Sequence, residues 1–590
     1  MAEASPIALE QKQLSWLSSL EQDFSASNIE FARAYYLFAT AKLSDTYESG
    51  AIYQRYPNLL DEATFHQIKA LYDRNPEHEQ INRLFTAVLG FYTGNQLSEL
   101  SDALQNQKNT LMVNTEGLGL TNPDGSSIAQ VLYEDVSEWL KKLSDKSKRQ
   151  ALYDRMAEAY TTHISPRFIE LFHQENALMA KLGYPDIVDF YARTSGHDLS
   201  GLGDTAKRLL KETEDAYQAL MLPFYQARTG ANFSAEATRA DISFVFHGPQ
   251  SDPDIEAIDR CFPESKLLPM ARQTFDRLGL RYSQLAQPVD YTDMTAFECD
   301  VVQPRAISTE EKIDGAYRRI LLDVANRTGK RSRAYVYPAQ VPSEIYLSVK
   351  PEGGLDDYSA FFHESGHALH FAYESPELGY AMAQMGNNTT TESYAYLFQN
   401  LFLNRHWLVN EAGLSPEQAL KAIQRSALND LYMLRRYSSK MLFELDLYTG
   451  DAAKGIELSG KDARYAKLLT DGTGFVYDAA GWTRDVDAGF YVADYFTAWS
   501  LEAQLRAYLC DHFGSKDDAA VAGEDWYLNP KAGTFLKALW KDGNLPQAEL
   551  SQRLGYNNPA DVGPLLRFMH RNLASYSSHS GAPSPAGNRV

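Results

Sequence analysis

Apolar residues recur at three- and four-residue spacings along most of the chain, the pattern of helices that bury one face. In the N-terminal third this predicts helices over 8–25, 28–48, 60–75, 78–112 and 129–143. Turn residues part them, at Tyr56-Pro57-Asn58 and at Asn122-Pro123-Asp124-Gly125-Ser126-Ser127. Further helices are expected over 201–227 and 416–447, the second ended by Gly450-Asp451, with a turn-rich stretch at Asp471-Gly472-Thr473-Gly474. Short aromatic or β-branched runs bounded by Pro or Gly stand out only in the middle of the chain. They predict strands over 296–302, 334–337 and 345–349. An edge strand there could pair with an extended peptide through its main chain; an ordinary structural hairpin accounts for the same pattern. The expectation is a mainly α protein with a small β-sheet.

Directly after the last of these strands comes Asp356-Asp357-Tyr358-Ser359-Ala360-Phe361-Phe362-His363-Glu364-Ser365-Gly366-His367-Ala368-Leu369-His370. Helical residues turn by about 100° each, so His363 and His367 lie roughly 40° apart around the axis and one turn apart along it. By spacing, His370 and Glu374 share that sector and Glu364 flanks it. Leu355, Tyr358, Phe361, Phe362, Leu369 and Ala372 fall on the opposite, apolar side. Two such imidazoles suit zinc, and Glu364 stands where it could take a proton from a metal-bound water. A solvated, histidine-rich helix face is the bland alternative.

A third ligand is expected downstream. Gly386-Asn387-Asn388 breaks the chain, and Thr389-Thr390-Thr391 offers capping hydroxyls to a helix whose first turn holds Glu392. A glutamate at a helix start is ordinary by itself. Catalytic zinc, however, takes three protein ligands with two His and one Glu as a known set, and a loop of about ten residues could bring Glu392 back to the histidines.

Composition narrows the class. The 590 residues are too many for one simple core, so two or more lobes are expected. The net charge of −21 argues against nucleic acid or an anionic membrane as partner, and no run of about twenty apolar residues exists to span a bilayer. Cys261, Cys299 and Cys510 are few and scattered, which implies neither a disulfide framework nor a cysteine metal site. The start of the sequence lacks a basic and apolar signal. The expected location is cytoplasmic, or periplasmic or secreted had an export signal been removed.

The set His363-Glu364-x-Gly366-His367-x-x-His370, with Glu392 twenty-five residues after His367, resembles the thimet oligopeptidase, neurolysin and oligopeptidase F family of zinc peptidases, a gluzincin group. The turn Leu182-Gly183-Tyr184-Pro185-Asp186-Ile187 with Phe190-Tyr191-Ala192-Arg193 is similar to the family too, and the likeness extends over about residues 180 to 510. It implies a zincin fold with the sheet beside the metal helix and two helical lobes around a deep cleft. It also implies one catalytic zinc on His363, His367 and Glu392, and Glu364 as general base. The corresponding division is an N-terminal helical lobe over 1–200, a catalytic region over 201–575 and a Ser/Pro/Gly-rich disordered tail over 576–590.

The family places a histidine and then tyrosines near Asp485-Val486-Asp487-Ala488-Gly489-Phe490-Tyr491-Val492-Ala493-Asp494-Tyr495-Phe496-Thr497-Ala498-Trp499, where a phenol can hydrogen-bond the oxyanion. This chain departs from that pattern, with Asp485 in place of the histidine, Phe490 for the first tyrosine and Thr497 for the last. Tyr491 and Tyr495, one turn apart, are the candidate oxyanion donors; packing is the alternative role for both. Arg484 is read as a surface ion pair or a contact to a substrate carboxylate. His370 and Tyr346 are candidates for a supporting position behind the ligands or for contact with substrate. The implied function is a zinc-dependent oligopeptidase cleaving internal bonds of short peptides, as a monomer or weak oligomer. A dipeptide-releasing exopeptidase, a catalytically impaired peptide-binding relative and a purely structural helical protein are the rivals.

Overall fold

The structure is a computed structural model that describes residues 9–42, 49–112, 118–121, 127–233, 236–248, 253–289, 312–328, 330–331, 334–516 and 523–579. Contacts divide the chain into two compact units, each assembled from three stretches. Among the described residues no helix is long and apolar enough to cross a membrane.

Among its described residues, the unit made of Gln96–Ile255, Ile423–Thr497 and Ala560–Val590 is mainly helical, with an antiparallel hairpin of β1 (Leu118–Thr121) and β2 (Ser127–Val131). The helix expected over 129–143 therefore begins as a strand, and only Val136–Lys142 is α-helical. Val131, Val136 and Leu140 bury into one cluster with Leu152, so tertiary packing satisfies these apolar positions without one continuous helix. Residues 122–126 of the expected turn lie outside the described residues. The expected helices over 201–227 and 416–447 are present as Leu199–Thr229 and Pro416–Tyr448. The stretch Asp471–Thr473, read above as a turn, is instead the end of the helix Lys461–Thr473. Gly472 is there for packing rather than turning, since a Cβ would sit 1.8 Å from Ser439 Oγ. Gly474 then ends the helix at φ 75°. The last helix, Gly563–His579, runs into the tail expected to be disordered; residues 580–590 are outside the described set.

The other unit comprises Met1–Asn95, Glu256–Ala422 and Ala498–Pro559. Its first helix, Gln11–Ala39, replaces the two expected over 8–25 and 28–48. Ser27 Oγ donates to its own helix at the Phe24 carbonyl, 3.0 Å away, and Asn28 reaches the Pro338 carbonyl at 3.1 Å, so neither polar side chain breaks the helix. The helix expected over 78–112 is two, Glu79–Gln96 here and Ser98–Met112 in the unit described first.

A four-stranded mixed sheet follows in the order β3 (Ala286–Pro288), β4 (Ile320–Asp323), β6 (Glu344–Ser348), β5 (Tyr335–Gln340). The first three run parallel, and β5 pairs antiparallel with β6 at the edge. β5 and β6 stand where the sequence predicts strands; the third expected strand, 296–302, lies outside the described residues. β4 and β6 are buried along their whole length, so neither shows the alternation that betrays a half-exposed strand. Tyr346 on β6 stacks on Tyr36 with ring centroids 4.2 Å apart and donates to Glu344 Oε1 at 2.7 Å.

From β6 the chain turns into the helix Leu355–Tyr373 through Gly353 and Gly354, at φ 88° and 91°. Only glycine adopts such consecutive left-handed geometry at low cost. The Asp357 carboxylate accepts the Glu352 and Gly353 N–H groups at 3.0 and 2.9 Å, closing the turn. Leu355, Tyr358, Phe361, Phe362, Leu369 and Ala372 are all buried, as their spacing requires, and burying each of the larger ones favours the fold by about 1.5–3 kcal/mol.

Candidate metal centre

The centre is built where the helix Leu355–Tyr373 crosses the helix Thr389–Gln399. Side-chain pairs give the sense of the crossing: His363 meets Gln399 while His367 meets Thr391, so the two helices run antiparallel. They approach closely at Gly366, where a Cβ would lie 2.7 Å from Ala395 Cα and 2.8 Å from the Tyr394 carbonyl oxygen. No other residue allows backbone that near.

Across this contact His363 Nε2 stands 3.4 Å and His367 Nε2 3.8 Å from Glu392 Oε2. One ligand atom from each of the three residues can be chosen so that all lie within 4.8 Å of one another. Ligand atoms around a tetrahedral zinc with bonds of about 2.0–2.1 Å stand about 3.4 Å apart, so the donor set fits a single ion. The far ring nitrogens are also committed. His363 Nδ1–H donates to Gln399 Oε1 at 2.8 Å, which leaves the Nε2 lone pair for a metal. His367 Nδ1 is hydrogen-bonded to Thr391 Oγ1 at 2.8 Å. Tyr396 packs edge-on against the His363 ring, centroids 5.0 Å apart.

Burial pushes the His367 imidazole down to about 3, with Glu392 opposing, so it is held neutral as a ligand must be. Burial also disfavours the charged form of His363, but hydrogen bonding and attraction from Glu392, with help from Glu364 and Gln399, outweigh it and raise that pKa. Glu364 is half-buried beside His363 on the same helix.

The structure thus brings His363, Glu364, His367 and Glu392 together. His370 and Glu374 do not share the open face that their spacing suggests: both are fully buried. The Nε2–H of His370 donates to the Gly543 carbonyl at 3.2 Å, and its ring packs on Tyr394. The helix Thr389–Gln399 and the chain around Gly543 close over the face beyond His367. Tyr346 is likewise a core residue. The three threonines are not the N-cap; Asn388 holds that place and makes no side-chain cap, while Thr391 holds His367. Gln399 and Tyr396 were missed by the sequence reading. They lie seven and four residues after Glu392, so helical spacing puts them on its face.

Tyr491 and Tyr495 belong to the other unit, rings edge-to-face with centroids 4.8 Å apart. Phe490 is buried, and Asp485 is tied to Arg436 and to the Tyr465 hydroxyl at 2.7 Å. Arg484 is engaged internally, donating to the Tyr153 hydroxyl at 2.6 Å beside Asp478.

A mainly α fold with a small mixed sheet against a helix bearing paired histidines, and a glutamate facing them from a later helix, is that of a metallopeptidase. The sequence profile of Peptidase family M3 matches residues 139–529, and the chain belongs to that family. No curated protein shows a significant match to it. Among solved structures, a candidate peptidase from Chlamydophila abortus is similar in fold, with a TM-score of 0.58 at 15% sequence identity, covering 96% of this chain and 91% of that one.

Proposed function

We propose that the chain is a zinc-dependent oligopeptidase that hydrolyses internal bonds of short peptides. The observation that carries this reading is the convergence of the His363 and His367 Nε2 atoms on the Glu392 carboxylate, with Glu364 alongside. Two imidazole nitrogens and one carboxylate are a borderline-soft donor set that suits zinc and leaves a position open. Held by these residues, the ion would supply Lewis acidity, polarising a peptide carbonyl and drawing the pKa of a water toward neutrality.

The protein's own groups do the rest. Glu364 takes a proton from the attacking water as its oxygen bonds to the carbonyl carbon, then passes that proton to the leaving amine as the C–N bond breaks. Gln399 and Thr391 hold the two imidazoles in the tautomer and orientation that ligation needs. The hydroxyl of Tyr491 or Tyr495 donates to the oxyanion, an assignment supported by resemblance to the family.

The test is Glu364→Gln against the parent on an internally quenched fluorescent peptide, with metal analysis of both. The expected result is one zinc per chain in each and turnover lowered about a hundredfold or more in the variant. Unchanged turnover would remove Glu364 from the chemistry. Product mapping on peptides blocked at both ends separates the modes of attack. Internal cleavage supports the oligopeptidase reading, and sequential release of dipeptides from free-ended peptides alone supports an exopeptidase. Burial of Phe490, which lacks a hydroxyl where the family has a tyrosine, favours a second reading: a relative that keeps zinc but turns over nothing.

A further inference from the structure

Arg436, Lys440, Glu444 and Tyr448 follow one another at four-residue intervals along the helix Pro416–Tyr448 and so line one face. Each is engaged with the segment that leads into the helix Tyr491–Phe513. Arg436 pairs with Asp485, which also accepts from the Tyr465 hydroxyl at 2.7 Å and has Arg239 at 3.8 Å. Lys440 Nζ lies 2.6 Å from Asp487 Oδ2, and the Asp487 N–H donates to Glu444 Oε1 at 3.0 Å. Tyr448 packs on Phe490, ring centroids 4.9 Å apart.

Two features argue that these contacts set a path rather than merely add stability. Lys440 is buried, and a buried charge is expensive compared with a well-packed apolar residue of similar volume. The backbone these contacts hold is also strained at Phe490, which follows Gly489 (φ 69°) with a φ of 55°, a geometry that phenylalanine rarely adopts unless its surroundings impose it. Beyond Phe490 the helix is fixed in rotation as well. His197 Nε2 lies 2.7 Å from Asp494 Oδ1, and Tyr495 packs on Tyr437, the neighbour of Arg436, with centroids 5.8 Å apart.

We propose that this stripe is a positioning rack that sets where Tyr491 and Tyr495 begin and point, with Lys440 and Glu444 as positioning residues that act on turnover through those tyrosines. The inference rests on the assignment of the tyrosines above as oxyanion donors.

The test is a double-mutant comparison on the zinc-loaded full-length enzyme. Lys440→Met is expected to lower kcat about tenfold with KM and bound zinc unchanged, the scale of loss that misplacing a group by less than an ångström produces. Lys440→Arg should recover most of it. In a background where Tyr491→Phe or Tyr495→Phe has already lowered kcat, Lys440→Met should add nothing further. Asp487→Asn removes the same ion pair from a partly exposed position and carries the same prediction, should Lys440→Met fail to fold. Full kcat in both Lys440→Met and Asp487→Asn, or an undiminished loss in the tyrosine-less background, would overturn the rack while leaving the tyrosines in place. Full kcat in both Tyr→Phe variants would overturn the oxyanion assignment, and the rack with it.

Discussion

At the scale of single residues, Gly366 has the clearest consequence. In an exposed helix, Gly→Ala adds about 0.8–1.0 kcal/mol of stability by restricting the unfolded chain. Here the sign should reverse. A Cβ at 366 would meet Ala395 Cα at 2.7 Å and the Tyr394 carbonyl at 2.8 Å, backbone that cannot swing aside as a long side chain would. Overpacking of this kind costs about 1–3 kcal/mol. The two helices would also part where His363 and His367 face Glu392. Gly366→Ala should therefore lower both the melting temperature and zinc affinity, measured by thermal unfolding and by competition with a chelating dye. An unchanged or higher melting temperature would mean that the crossing has room for a methyl group.

At the scale of elements, the helix Pro416–Tyr448 carries a carboxyl whose charge state depends on packing. Burial pushes Glu444 up to about 8, with Lys440 opposing the shift. The unfolded chain releases this proton near the ordinary value of 4.5, while the folded chain keeps it until about 8. The folded state therefore binds the extra proton between those values, and this group's contribution to stability falls as pH rises from about 4.5 to 8 and is level above. Glu444→Gln retains an oxygen to accept the Asp487 N–H and removes the titration. Its stability relative to the parent should be near parity at pH 5 and clearly higher at pH 8.5, read from denaturant midpoints. A difference that does not change with pH would contradict the buried, neutral carboxyl.

The elements themselves were legible to different degrees. In the helix Leu355–Tyr373 all six residues expected on the apolar face are buried, but Ala368, His370 and Tyr373 are buried as well, because the helix is packed on more than one side. β4 was not seen, since Ile320-Leu321-Leu322 is buried on both faces and such a run has no alternation to read. The break expected between 25 and 28 failed because serine and asparagine found acceptors without leaving the helix.

For the molecule as a whole, the chain passes between its two units several times, and each unit draws on three separate stretches. The proposed ligands nonetheless come from one stretch of 30 residues, His363 to Glu392, inside one unit. A metal held there binds the folded chain and not the unfolded one, so it should add to stability by mass action, about 2.7 kcal/mol at a free concentration one hundred times Kd. Dialysis against a chelator should lower the melting temperature and abolish turnover, and stoichiometric zinc should restore both. A melting temperature indifferent to chelation would argue against a metal at this crossing.

Local order was set by sequence alone: the period of the histidine helix, the interval that puts His363 and His367 on one face, Glu364 beside them, and a glutamate at the start of a later helix. These follow from backbone geometry, which depends only on near neighbours along the chain. Folding decided what depends on distant neighbours. It buried His370 fully while leaving His367 partly exposed, turned Thr391 from a presumed cap into the holder of an imidazole, and enlisted Gln399. It also spent Asp485 and Asp487 on a helix some fifty residues earlier in the chain. A spacing can place a side chain on a face, but only the packed element opposite determines whether that face meets water, a carboxylate or another helix.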